Sequence, residues 1–388
     1  MRVIWNLCVI AGVLSATGSA IAQAPGPQPE PYKLVRTLQQ TQDRIAQGSQ
    51  VAYDVQRKLL DHIGNKFIKF PNLVWADHKN SEAAVVFALG GGDPQVGKWL
   101  LKNKTLAPKY VPLLEGAVEF ASRNYPKAAE LLDGIEPLKY PGHLGGSLAL
   151  VKAMLVAKTD PKKAAELFAK SKLLVPGTLI EEATLRRSLV LFKTKKDLSK
   201  LVATSASYYR QFESSVFGPV FDQDLAAAIA KFEDEALEKH QAELVDAVRQ
   251  TPSPRQRRIH LMLAKNAVVN GKMAFARFTS SSAAKVEGSD RRSKARANLY
   301  MAAANVVSSK PDQAMGALEA IDSKILSSDD KKIMQGATKI VSAIAQWPPV
   351  APSMPEGKTA EGGGKDDGIL ERVKPLFVEV DGILKELK

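Results

Sequence analysis

Apolar residues recur at three- and four-residue steps along most of the chain. In PYKLVRTLQQTQDRIAQGSQVAYDVQRKLLDHI, residues 31–63, they fall at Leu34, Val35, Leu38, Ile45, Val51, Val55, Leu59, Leu60 and Ile63, with a break at Gly48. That spacing lines one face of a helix, and the break folds the stretch into an α-hairpin. Further helices, separated by Gly, Pro and Ser, are predicted over 80–89, 94–103, 109–122, 126–133, 144–157, 161–173, 178–193, 196–211, 221–249, 253–270, 272–285, 291–308, 311–321 and 329–346. Convincing period-two alternation, the mark of a half-buried strand, is absent, and Ala, Leu, Lys and Glu dominate. The expected fold class is all-α.

Some of these helices echo one another. NYPKAAELLDGI (124–135) and TDPKKAAELFAKS (159–171) share a Pro start and an Ala-Ala-Glu-Leu block, beginning at Ala128 and Ala164, 36 residues apart. SKPDQAMGALEAI (309–321) is a looser echo. Helix pairs repeating at about 34 residues are the pattern of tetratricopeptide stacks. The Trp, Gly and Tyr positions of that repeat are not evident, so the expectation is a TPR-like α-solenoid of helical hairpins rather than a clean TPR array.

The ends read differently. Arg2, a nearly continuous apolar run from Val3 to Val13, and Ala20-Ile21-Ala22 form a secretory signal peptide over 1–22, cut after Ala22. A Pro-rich leader (23–31), the helical body (32–346), a Pro/Gly-rich linker (347–368) and a C-terminal helix (369–388) follow. That last helix, interrupted by Pro375 and Gly382, either docks back on the body or engages a partner. The expected location is the periplasm. Cys8, the single cysteine, leaves with the signal, which excludes disulfides, thiolate chemistry and Cys-ligated metals.

The formal charge is +13, falling to +12 when Arg2 is removed. Such a surplus suits an acidic partner: an anionic protein face, a wall polymer or a membrane surface. Export argues against nucleic acid. The charge concentrates in SPRQRRIH (253–260), with Arg255, Arg257 and Arg258, and in SDRRSKAR (289–296), with Arg291, Arg292 and Arg296. Each cluster opens a predicted helix, where cations stand against the macrodipole. The clusters either pair with the acidic stretch 231–246, bind an acidic partner, or are solvated faces; the partner-binding candidates are these six arginines.

Motifs for catalysis fade on inspection. GGGDPQVGKW (90–99) has most of the spacing of a phosphate-binding loop, but Trp99 stands where magnesium needs a hydroxyl and no strand leads in. It reads instead as a helix ending at Leu89, a Gly turn, and a new helix with Asp93 as N-cap and Pro94 at its first position. His62, His78, His143, His240 and His260 show no metal-ligand spacing. Glu213-Ser214 imitates the Glu-Ser pair of soluble lytic transglycosylases, but the Gly-Leu-Met-Gln segment expected downstream is replaced by GPVFDQDL. No catalytic residue, metal, cofactor or small-molecule substrate is expected.

The order of signal peptide, Pro-rich leader, PYKLVRTLQQTQDRIAQGSQVAYDVQRKLL and VWADHKNSEAAVVFALGGGDPQVGKWLL resembles the MotC family, periplasmic motility proteins of rhizobia and related alphaproteobacteria. The likeness is strongest over 31–105 and extends more weakly to the tail. The resemblance implies a non-enzymatic flagellar-motor accessory that acts with the stator protein MotB and affects flagellar rotation. It supplies no binding residues. The competing readings are a general periplasmic scaffold or chaperone, and a wall-active enzyme using Glu213.

Overall fold

The structure, a computed structural model, describes residues 30–140, 142–307 and 311–345. The expected signal peptide, linker and C-terminal helix lie outside the described residues, as does the leader except Glu30 and Pro31. Pro31 already opens the first helix, where its missing N–H has no partner to lose.

Every regular element among the described residues is helical, so the chain is all-α. The first nine α-helices are α1 (Pro31–Ala46), α2 (Gln50–Phe67), α3 (Asn72–Trp75), α4 (His78–Leu89), α5 (Pro94–Asn103), α6 (Val111–Ala121), α7 (Tyr125–Leu132), α8 (Gly142–Val156) and α9 (Pro161–Leu174). The rest are α10 (Leu179–Lys195), α11 (Leu198–Gln211), α12 (Gly218–Ile229), α13 (Asp234–Val248), α14 (Ser253–Val269), α15 (Met273–Lys285), α16 (Arg291–Asn305), α17 (Pro311–Glu319) and α18 (Ser328–Ala345). Short polar residues start many of them: Ser49, Asp77, Asp93, Asp160, Thr178, Asp197 and Asp290 each accept a first-turn N–H.

The predicted helix over 221–249 is two helices. Phe232, nearly buried, turns inward between α12 and α13. Asp234 then reaches across to accept the N–H groups of Ala274 and Phe275 at 2.9 and 3.0 Å, capping the start of α15. Apolar spacing runs unbroken through this corner, so periodicity could not reveal it.

Consecutive helices pack together from α5 to α11 and from α14 to α18, whereas α12 and α13 pack on helices two away in sequence; from α8 to α18 each even-numbered helix packs on the next even one. Helices α11, α13 and α15 form a second row in the same way. This arrangement is compatible with a solenoid of hairpins. The echoing segments are the second helices of the pairs α6–α7, α8–α9 and α16–α17, and Ala128 and Ala164 are fully buried there, small enough for close helix approach.

Two large apolar cores result. One gathers Leu38, Ile63, Phe67, Trp75, Phe87 and Leu113 from the N-terminal helices; the other gathers Tyr208, Phe221, Phe275 and Leu299 from α10 onward. Helix α1 belongs to both, because its last residue, Ala46, lies in the second core. It packs on α4 and α10, and Asp43 accepts the N–H of Leu179 at 3.1 Å. The following turn needs Gly48 (φ 98°), since a Cβ there would strike the Ser214 carbonyl.

Candidate interaction surface

From α8 to α18 the even-numbered helices meet near their first turns, at one edge: Ser171 bonds both the Gly146 carbonyl of α8 and Thr184 of α10. Ser215, just before α12, lies beside Glu182 of α10 at 3.4 Å. Arg255 of α14 bonds Asp222 of α12, and Arg257 donates to the Gly288 carbonyl, just ahead of α16, at 2.6 Å. All six candidate arginines therefore share this edge, but they do not share one environment.

Three of them are committed to the interior. Arg255 holds Asp222 through Nη2 and Nε at 2.9 and 3.1 Å, and also donates to the Glu213 carbonyl. Arg257, 7% exposed, spans the Gly288 and Glu287 carbonyls. Arg296 pairs with buried Asp330 at 3.2 Å. The remaining three face solvent: Arg258 at 54% exposure, 3.6 Å from Asp222; Arg291 at 79%, 3.0 Å from Asp322; and Arg292. The internal partners are not those of the stretch 231–246. There Glu235 pairs with Lys239, Glu243 with His240 and Asp246 with Arg249, three or four residues apart on α13 and its C-terminus, while Glu233 reaches Lys272 and Asp234 caps α15.

Three of the four buried carboxylates on this edge, Glu182, Asp222 and Asp330, follow a common plan of carboxylate, tyrosine and arginine. Glu182 accepts from Tyr208 at 2.8 Å and from Arg186 at 2.8 and 2.9 Å. Asp222 accepts from Tyr209 at 3.1 Å besides Arg255, and Asp330 accepts from Tyr300 at 2.5 Å besides Arg296. Burial, and then the neighbouring carboxylates, hold the Tyr208 and Tyr209 phenols far above their ordinary range; burial does the same for Tyr300, with the Arg296 cation opposing it. The tyrosines stay protonated and donate, so these groups act as latches between helices. No spacing motif marked them. The available signal was the placement of Asp222 in the apolar run of α12 and of Glu182 among the buried positions of α10.

Two clefts flank α1. One, of about 380 Å³, lies between α1 and α4, lined by Tyr32, Arg36, Gln39, Asp43, Lys79 and Glu82, with His143 3.5 Å from Asp43. The other, of about 480 Å³, holds Gln47, Arg210, Gln211, Glu213 and Ser214. Glu213 is half-exposed on this open rim, unlike the apolar enclosure that prepares a carboxyl as a general acid. Beneath it Glu181 is held above the usual carboxylate range, chiefly by burial, and accepts the Gly177 N–H at 2.6 Å.

The glycine-rich stretch is the predicted corner. Helix α4 ends at Leu89, Asp93 caps α5 through the Gln95 N–H at 2.8 Å, and Gly97 packs against Val118 where no side chain would fit. Lys98 points to solvent. The five histidines are dispersed, and no group able to hold a metal occurs among the described residues.

A family model described as Chemotaxis protein MotC matches residues 1–375. The chain belongs to the MotC family. A curated member, Chemotaxis protein MotC of Rhizobium meliloti (strain 1021), is 30% identical over 379 residues, covering 94% of this chain and 86% of its own. No solved structure matches. The MotC likeness read from residues 31–105 thus extends over nearly the whole chain, and a role in chemotaxis and motility comes with it.

Proposed function

We propose that the protein is a periplasmic, non-enzymatic accessory of the flagellar motor that binds the periplasmic part of the stator protein MotB and modulates rotation. The family match over residues 1–375 carries this reading. The signal-like N-terminus supports the compartment. A stack of helices offers an extended surface for a protein partner. Modulation requires different affinity for two stator states, since equal binding to both would shift nothing.

The exposed arginines at the starts of α14 and α16 are the proposed contact: Arg258, Arg291 and Arg292. Arg255, Arg257 and Arg296 lie behind them and hold the edge in shape. Capture of the full chain by the periplasmic part of MotB should be specific and should weaken as salt rises. The triple charge reversal Arg258→Glu, Arg291→Glu, Arg292→Glu should weaken it by about tenfold at low salt. Unchanged affinity would move the contact off this edge, and no capture at any salt would remove MotB as the partner.

A further inference from the structure

The opposite edge, where α8 and α10 end, carries a second basic surface whose cations are almost all lysines. A small cluster of Ala153, Ala164, Leu167, Phe168 and Leu191 holds the end of α8, the start of α9 and the end of α10 together. Phe192 packs on it, with the Lys200 ammonium 5.8 Å above its ring. The α8–α9 and α10–α11 turns are therefore neighbours, and between them they expose Lys158, Lys162, Lys195 and Lys196. The α6–α7 turn joins them. Lys163 near the start of α9 meets Asp133 and Lys170 further along meets Glu136, so 133–136 runs alongside α9 and places α7 at the same end. That turn adds exposed Arg123 and Tyr125.

Fold stability does not account for this charge. Lys195 in the last turn of α10 suits the helix dipole, but Lys162 stands in the first turn of α9, against it. The nearby Asp160 and Asp197 are engaged as caps, accepting the N–H groups of Lys163 and Lys200 at 2.9 and 3.1 Å, and Asp197 also pairs with the Lys200 ammonium at 3.1 Å. Two residues other than glycine adopt positive φ among the described residues, Arg123 (65°) and Lys196 (53°), and both are cations at these turns. Glycine would fill a left-handed position at less conformational cost. The chain keeps charge where backbone geometry favours no side chain at all.

We propose that this edge rests on an anionic phospholipid surface. Lysines are hydrated point charges that match a plane of headgroups, whereas a single carboxylate partner favours the forked geometry of arginine found on the other edge. The exposed Tyr125 ring suits the interfacial depth beside them. The proposal stands apart from stator binding, which uses the opposite edge.

The test is co-sedimentation of the full chain with vesicles of equal parts phosphatidylglycerol and phosphatidylcholine, against phosphatidylcholine alone. Binding should require the anionic lipid and fall as salt rises. Reversing Lys158, Lys162, Lys195 and Lys196 to Glu should lower the partition coefficient at least about tenfold. Reversing Arg258, Arg291 and Arg292 should leave it unchanged. Lys196→Gly separates charge from structure: it should melt no lower than the parent yet bind anionic vesicles more weakly. Equal binding to neutral vesicles, or wild-type binding by the quadruple variant, overturns the proposal. So does capture by soluble polyglutamate without vesicle binding, which would assign the edge to an acidic polypeptide.

Discussion

The N-terminal core and the C-terminal core are assembled from similar helices and closed by different chemistry. In the first, Trp75 meets Phe67 edge-on at 5.1 Å and Phe87 tilts against Phe67 at 4.9 Å. The buried charge near it is Lys152, whose ammonium fills the Leu132, Asp133 and Ile135 carbonyls at 2.5, 2.7 and 2.5 Å. In the second, Glu182, Asp222 and Asp330 are sunk among apolar side chains and latched by tyrosine and arginine. Rings in contact set the gap between helices but tolerate sliding. A buried carboxylate that meets a side chain of another helix, Tyr208 for Glu182, Tyr209 and Arg255 for Asp222, Tyr300 and Arg296 for Asp330, fixes the register of the two helices as well. The ionic core is therefore the more precisely positioned one, and it lies directly beneath the arginine edge.

The largest test of that contrast is in the apolar core. Trp75→Ala should cost about 4 kcal/mol in urea unfolding, through lost burial and the cavity left behind. A loss below about 1 kcal/mol would mean the ring does not close this core. In the ionic core, Asp222→Ala should cost about 3 kcal/mol, because Arg255 is left buried and unpaired. The combined change Asp222→Leu with Arg255→Met should recover most of that loss, since matched apolar groups need no partner. If the double variant is as unstable as the single one, the latch supplies stability as well as register.

A smaller effect comes from pH. His260 is buried in the second core, and burial, then the Arg249 cation, pushes it down to about 4. The unfolded chain takes up this proton near pH 6.5 while the folded chain resists it. Nothing is lost above pH 6.5, and the penalty grows as pH falls toward 4. It should reach about 2 kcal/mol by pH 5. Urea midpoints should fall over this window in the parent and much less in His260→Leu. A profile unaltered by the substitution would place the acid sensitivity elsewhere.

The sequence displays what is local. Helix spacing, the Asp93 cap and the glycine corner all depend on residues within a turn or two of one another, and they were readable. The corner at Phe232 was not, because apolar spacing continues across it. The basic clusters were visible as charge, but their division was not: Asp222 lies 33 residues from Arg255 and becomes its partner only once α12 and α14 lie side by side. Lys152 did carry a signal, as a lone cation in the apolar run of α8, and its role became clear only when the end of α7 was found above it.

The double membership of α1 has a consequence for how the molecule comes apart. A linear stack leans only on nearest neighbours, so it frays from either end, one unit at a time. Here the Asp43 carboxylate reaches a backbone 136 residues away, which ties the beginning of the array to its middle. The N-terminal end is consequently not free to fray, and the first helices must detach as a block. Closure of that long loop is also a late and slow event in folding, since the chain between must be ordered before the contact rewards it. Among the described residues, the array is therefore not a string of repeats held by nearest neighbours alone.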